Sequence, residues 1–224
     1  MTFSPGSKAR LTPRDLARFP GDTLFDRAAR AVCAAGCLPR KELYEAWEMA
    51  KRVRRVLRGG RVVDVAGGHG LLAHLLLLLD DSSPGAVVVD PSLPPSATRI
   101  HTALVEAWPR LAGRIEYRAT PFTGGEVHPG DLVVSCHACG ALTDLVLHGA
   151  VSARARVAVL PCCHDTATCE AGVLEGWMDA ALAIDALRAT RLAERGYRVW
   201  TQTIPETITP KNRLILGEPG APVG

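Results

Sequence analysis

The chain has 224 residues, 47% hydrophobic and 22% charged, the composition expected of a soluble globular protein with one domain and an appendage. A formal net charge of +3 permits nucleic-acid binding without demanding it. The start Met1-Thr2-Phe3-Ser4-Pro5 lacks the charged opening and apolar run of a signal peptide, and seven cysteines, mostly near His, suit a reducing cytoplasm better than a disulfide framework.

Residues 1–20 carry Pro5, Pro13 and Pro20 without periodicity, which predicts a loosely held arm. Asp22 reads as the cap of a helix running to about residue 35 and stopped by Gly36. A second helix starts at Pro39 and places Leu43, Trp47, Ala50, Val53 and Leu57 on one stripe. Its last turns carry Lys51, Arg52, Arg54, Arg55 and Arg58. These read first as a solvated face suited to the helix C-terminal dipole, and second as an RNA-binding patch. From Gly60 onward strands and helices alternate, the pattern of a parallel sheet covered on both faces. The predicted strands are 61–66, 86–90, 114–119, 131–137 and 157–161. The predicted helices are 71–79, 96–111, 141–151 and 171–195. The run 71–79 is too short to span a bilayer and is interrupted by His74, so no membrane partner is expected. Residues 197–204 and 212–217 lack an intervening helix and predict an antiparallel hairpin.

The stretch Arg61-Val62-Val63-Asp64-Val65-Ala66-Gly67-Gly68-His69-Gly70-Leu71-Leu72 ends a β-branched strand near an acid, crosses a glycine cluster and enters an apolar helix. Gly68 and Gly70 allow a tight turn with bare main chain facing a ligand, and the helix is expected to present free N–H groups to it. Two readings compete. Residues 68–73 fit G-x-G-x-x-G/A with Asp90 about 20 residues on, which points to NAD and oxidoreduction. Alternatively, Asp64, Ala66, Gly68 and Gly70 form an acidic-x-small-x-Gly-x-Gly series that resembles motif I of class I S-adenosylmethionine (SAM) methyltransferases. The resemblance implies that Asp64 lies near the amino acid end of SAM. A pyrophosphate loop has no use for that acid, so the SAM reading is preferred.

In open parallel α/β sheets, ligands bind beyond the C-terminal strand ends. That rule adds Asp90, whose carboxylate can accept from both ribose hydroxyls, and Pro91, a flat apolar surface for adenine. It also adds Phe122 as a second adenine contact and Ser135 at the end of the fourth strand. The fourth strand leads into Cys136-His137-Ala138-Cys139-Gly140, and the fifth into Pro161-Cys162-Cys163-His164-Asp165. Cys136-x-x-Cys139 has zinc-ligand spacing. However, Cys162 and Cys163 are adjacent in a predicted strand, so their side chains are expected on opposite faces. No bound metal is therefore expected. His137 is the first choice for a general base and His164 the second, with Cys163 a further catalytic candidate. Lys211 and Arg213, between the last two strands, read either as ligands for a substrate phosphate or carboxylate or as a solvated turn.

The runs at 135–144 and 161–164 make the resemblance more specific. His137, Cys139, Gly140 and Asp144, followed by Cys162, Cys163 and His164, resemble the group of methyltransferases that includes the eukaryotic tRNA acceptor-stem 2′-O-methyltransferase. The resemblance covers about residues 60–217. It does not extend to an N-terminal Cys/His zinc-finger module, since only Cys33 and Cys37 lie there, within a helical region. It implies a Rossmann-like α/β fold with a mostly parallel seven-stranded sheet, a C-terminal antiparallel hairpin and an N-terminal helical extension. The expected organisation is an arm and two-helix extension over 1–58, lidding the cofactor, and a SAM-binding domain over 59–224. The expected activity is SAM-dependent methyl transfer to an unidentified acceptor, an RNA 2′-hydroxyl being slightly favoured. A small-molecule or protein acceptor, a non-catalytic SAM- or partner-binding module, and an NAD-dependent oxidoreductase stay open. The sequence sets no oligomeric state.

Overall fold

Short Val-rich runs form the centre of the sheet: β1 (Val62–Val65), β2 (Ala86–Val89), β3 (Ile115–Arg118), β4 (Leu132–Ser135) and β5 (Arg156–Val159). The computed structural model describes residues 3–220. β1, β2 and β4 are buried along their whole length, as strands covered on both faces must be. With β6 (Tyr197–Thr203) and β7 (Arg213–Pro219) they make one seven-stranded sheet of order β3-β2-β1-β4-β5-β7-β6. β1 to β5 pair in parallel, and β7 is antiparallel to both β5 and β6. This is the predicted architecture, hairpin included. The strand order reverses between β1 and β4, and at such a switch point an open α/β sheet leaves a crevice at its C-terminal edge.

Alternate strand residues feed two hydrophobic layers. Val62, Val88 and Val134 face one cluster with α1 (Leu24–Ala35), α2 (Arg40–Val56), α3 (Leu71–Leu79) and α4 (Ser96–Ala107). Val63, Val87 and Val133 face the other, which includes residues of α5 (Ala141–Ser152) and α6 (Ala180–Glu194).

Several local expectations are corrected. The N-terminal arm is pinned rather than loose: Leu11 and Phe19 are buried, and the Leu11 N–H donates to the Leu38 carbonyl at 2.9 Å. Thr23, not Asp22, caps α1, its hydroxyl accepting from the Asp26 N–H. The helix expected over 96–111 breaks at Trp108, which precedes Pro109 and leaves the helical region at φ −140°, ψ +86°. The one expected over 171–195 begins only at Ala180. Gly172 and Gly176 adopt left-handed φ of +58° and +72°, which interrupt a helix, and Asp179 then caps α6. No helix among the described residues is long and apolar enough to cross a membrane.

Candidate active site

The glycine loop leaves β1 through three left-handed residues, Ala66 (φ +52°), Gly68 (+49°) and Gly70 (+71°). A Cβ at Gly67 would lie 2.8 Å from both Asp64 Cγ and Val88 Cγ1, and one at Gly70 would lie 2.8 Å from the Tyr117 hydroxyl. Those two glycines therefore let the loop pack closely against side chains of β1, β2 and β3. Gly68 differs: a Cβ there would meet nothing nearer than Asp90 Oδ2 at 3.9 Å, so its main chain faces open space.

Three strand ends supply the side chains around the loop. Asp90, just past β2, accepts from the Gly68 N–H at 3.1 Å and from the Ser92 N–H at 2.9 Å, and it is half-buried. Pro91 beside it is exposed. Ser135 closes β4 and is buried; its hydroxyl donates to the Val65 carbonyl at 2.7 Å and accepts from the Ala138 N–H. Asp64 is 1% exposed and accepts from the Ala73 N–H at 3.2 Å. Burial pushes its pKa up to about 7, and the Asp90 charge adds to the effect. A buried carboxylate of this kind is matched to a cationic ligand.

The expectation of free amides at the start of α3 is corrected in part, for two of the three N–H groups of its first turn. Asp64 takes the Ala73 N–H, and His69 Nδ1 accepts from the Leu71 N–H. A helix start so occupied is a poor cradle for a pyrophosphate.

Helix α2 lies over the loop. His69 Nε2–H donates to Glu42 Oε2 at 2.8 Å. Burial alone would raise the Glu42 pKa, but this bond and the nearby imidazoles leave it lowered. Between loop, β4 end and α2 lies a cavity of about 10 Å³ lined by Glu42, Asp64, Gly67, His69, Cys136 and His137 among others, room for about one water molecule. Larger clefts of about 670 and 440 Å³ lie at residues 166–180 and between α5 and α6, away from the glycine loop. The acids and imidazoles around the glycine loop line the small cavity and not these larger clefts. His137 is on its exposed rim, and loss of hydration lowers its pKa although Glu45 and Glu42 pull the other way. Glu45 is buried, pairs with Lys41 at 2.5 Å, and leaves its Oε2 without a partner. Cys136 is buried and its thiol is pushed up by that burial.

The acids of α2 are absent from the residue set expected from the sequence. Their signal was Glu42 and Glu45 one helical turn apart, which marks a shared face but not what the face meets.

Other expected site residues are placed elsewhere. Phe122 is buried in the core, and a Cβ on Gly149 of α5 would sit 3.1 Å from its ring, so the ring fills the layer under α5. His164 Nε2–H donates to Asp185 of α6 at 2.7 Å, with both side chains 4% exposed. Asp185 also receives Arg213 at 2.7 Å. His164 and Arg213 are thus both engaged by buried Asp185, Arg213 from a half-buried position, whereas Lys211 is exposed. The basic end of α2 is partly engaged: half-buried Lys51 and Arg52 pair with Glu48, and Arg54 is buried against Asp80. Only Arg55 and Arg58 of that group are exposed.

The opposed side chains expected of Cys162 and Cys163 are also corrected. β5 ends at Val159 and residues 161–165 are outside it, so strand alternation does not apply. Their sulfurs lie 3.8 Å apart, with Cys139 Sγ 2.9 Å from Cys162 Sγ. The hydrogen bond with Cys139 lowers the Cys163 pKa.

No family model matches the chain. A glutathione S-transferase C-terminal domain-containing protein of Xenopus laevis is 25% identical over 203 residues, covering 72% of this chain and 31% of that protein. The chain therefore spans about a third of the curated relative it matches. Among solved structures, it is similar to an O-methyltransferase family protein from Burkholderia thailandensis, with TM-score 0.52, 17% identity and coverage of 96% of this chain and 66% of that one. It is similar to the S-adenosylmethionine-dependent methyltransferase SibL in its apo form, with TM-score 0.53, 20% identity and coverage of 96% and 67%. The mitomycin 7-O-methyltransferase MmcR gives TM-score 0.51, 17% identity and coverage of 92% and 60%. At these identities the likeness is one of architecture, and by that architecture the chain has the Rossmann-like fold of the class I methyltransferases.

Proposed function

We propose that the protein is a SAM-dependent methyltransferase, with SAM held across the glycine loop between Asp64 and Asp90. The observation that carries this reading is the buried Asp64 carboxylate, with its pKa of about 7 and no cationic partner among the described residues, beside a glycine loop tied to Asp90. The α-ammonium of an amino acid supplies the missing positive charge, while Asp90, half-buried beside exposed Pro91, suits a ribose and adenine. When bound, SAM supplies an already activated methyl group. The protein's task is then to align donor and acceptor and to remove a proton where the acceptor is a hydroxyl. His137 is suited to that step: its lowered pKa keeps an imidazole nitrogen free to take a proton at neutral pH. The amides of α3 already used by Asp64 and His69 weigh against NAD.

For the acceptor we favour an RNA 2′-hydroxyl, on the resemblance carried by His137, Cys139, Gly140 and Asp144 with Cys162, Cys163 and His164. Arg55, Arg58 and Lys211 are exposed and suited to phosphate contacts. The seven cysteines are free thiols, in keeping with a reducing compartment. Calorimetric titration with SAM and NAD in parallel tests the donor, and labelled SAM offered separate RNA, protein and metabolite fractions tests the acceptor. SAM binding with label entering RNA is expected. NAD binding without SAM binding replaces the reading with oxidoreduction, and SAM binding with no labelled fraction replaces it with a binding module.

A further inference from the structure

Outside the glycine-loop cavity, Cys139, Cys162 and Cys163 bring their three sulfurs within 4.8 Å of one another. Cys139 comes from the β4–α5 loop and the other two from the segment after β5, so the cluster spans two loops. They are held in register by the Gly140 N–H, which donates to the Cys163 carbonyl at 3.1 Å. Behind them, buried Arg188 of α6 donates to the Gly140 carbonyl at 3.0 Å and pairs with Asp144 at 2.7 Å. The backbone carrying the thiols is thus braced from two sides, the kind of support that orients metal ligands.

We propose that Cys139, Cys162 and Cys163 form a three-thiolate site for a single Zn²⁺ ion, with a fourth coordination position open to solvent. Zinc–sulfur bonds of about 2.3 Å in a tetrahedron set neighbouring sulfurs about 3.8 Å apart. Cys162 and Cys163 already stand at 3.8 Å, and Cys139 needs to withdraw from 2.9 Å by a side-chain rotation that its exposed position allows. An all-thiolate donor set selects soft or borderline cations over magnesium or calcium. Three thiolates around Zn²⁺ leave one net negative charge, and Lys211, whose positive charge acts on both Cys139 and Cys163, offsets it. His164 is excluded from the ligand set because its imidazole is committed to Asp185. Since Cys139 and Cys163 are exposed, the fourth ligand is water or a hydroxyl or thiol brought by a bound molecule. Three protein ligands with one open position is the pattern of reactive rather than purely structural zinc. The site rests on sulfur geometry alone and is independent of the methyl-donor reading.

The test uses the full chain, purified and kept under a non-chelating reductant. Zn²⁺ content is measured after dialysis, and Co²⁺ is titrated as the spectroscopic probe. One equivalent of Co²⁺ should give a sulfur-to-cobalt charge-transfer band in the near ultraviolet and the intense visible bands of tetrahedral cobalt, both abolished by competing Zn²⁺. Cys139→Ser, Cys162→Ser and Cys163→Ser should each weaken metal affinity by about tenfold or more, and Cys37→Ser should leave it unchanged. Circular dichroism accompanies each variant. If Cys162→Ser unfolds, the two exposed positions decide the question. The proposal is overturned if the reduced wild type yields no sulfur–cobalt band, or if Cys139→Ser and Cys163→Ser bind as well as wild type. A Cys139–Cys162 disulfide found by mass spectrometry under the same reductant also overturns it.

Discussion

Asp64 and His74 give the region around the glycine loop opposite responses to pH. Asp64 is protonated in the folded chain up to about pH 7 but only to 3.8 when unfolded. Between those values the folded state binds more protons, so this group lowers stability as pH rises. His74 is fully buried, Nδ1 bonded to the Gly70 carbonyl at 2.7 Å, and its pKa is pushed down to about 3 by that burial. Below 6.5 the unfolded chain takes up the proton first, so this group lowers stability as pH falls toward 3. Asp64→Asn removes the first slope and leaves the second. The variant should be more stable than wild type at pH 7 to 8 by about 2 kcal/mol, a rise in Tm of several degrees, and should lose stability more steeply from pH 6.5 to 4. Its SAM affinity should fall at the same time. Thermal melts across pH, with calorimetry at pH 7.5, check both, and a variant that binds SAM normally removes Asp64 from the donor site. His137 makes a separate prediction. As a rim residue it contributes little to packing, so His137→Ala should keep the SAM Kd and the melting temperature. Methyl transfer to a hydroxyl acceptor should drop by about 10²–10⁴. Full activity in that variant assigns the proton to another group or to none.

At the scale of elements, the hydrogen bond from Gly68 to Asp90 ties the loop after β1 to the end of β2, so the carboxylate shapes the loop as well as facing the ligand. Asp90→Ala should weaken SAM by about 1.5–3 kcal/mol. It should also quicken amide exchange at Gly68, a change that loss of a ligand contact alone does not cause. Unchanged SAM affinity would exclude Asp90 from the ribose site. The β1 loop and the Val-rich strands were legible in the sequence because their signals are local: a continuous apolar run, an acid, then glycines at fixed offsets. The segments read wrongly depend on distant partners. Leu11 and Phe19 are held by packing within the α1–α4 layer, which no proline count anticipates. His164 meets Asp185 across 21 residues. The opposed orientation of Cys162 and Cys163 was deduced from strand alternation, and that rule stops at Val159, where β5 ends. Glu42 reaches the site only because α2 crosses the loop bearing His69.

Over the whole molecule, the sequence boundary at residue 58 does not coincide with a boundary in the core. Leu43, Met49, Val53 and Leu57 from the extension share one continuous hydrophobic cluster with Val62, Leu71, Leu75 and Leu76. Buried Arg54 ties the end of α2 to this region, donating to the Leu76 carbonyl and to Ser83 Oγ. Helix α3 is apolar nearly all round, with eight of its nine residues buried, so it needs cover on the side away from the sheet. Removing α1 and α2 bares at least four large side chains at about 1.5–3 kcal/mol each. That loss of about 6–12 kcal/mol equals the whole stability of an ordinary domain, about 5–15 kcal/mol. A fragment of residues 59–224 should therefore fail to form a rigid fold. It should bind hydrophobic dyes, lose near-ultraviolet circular dichroism and show no sharp thermal transition, while SAM fails to rescue it. A monomeric fragment with a cooperative melt would show instead that the extension is a separable cover, and would return the boundary at 58 to the status of a true domain junction.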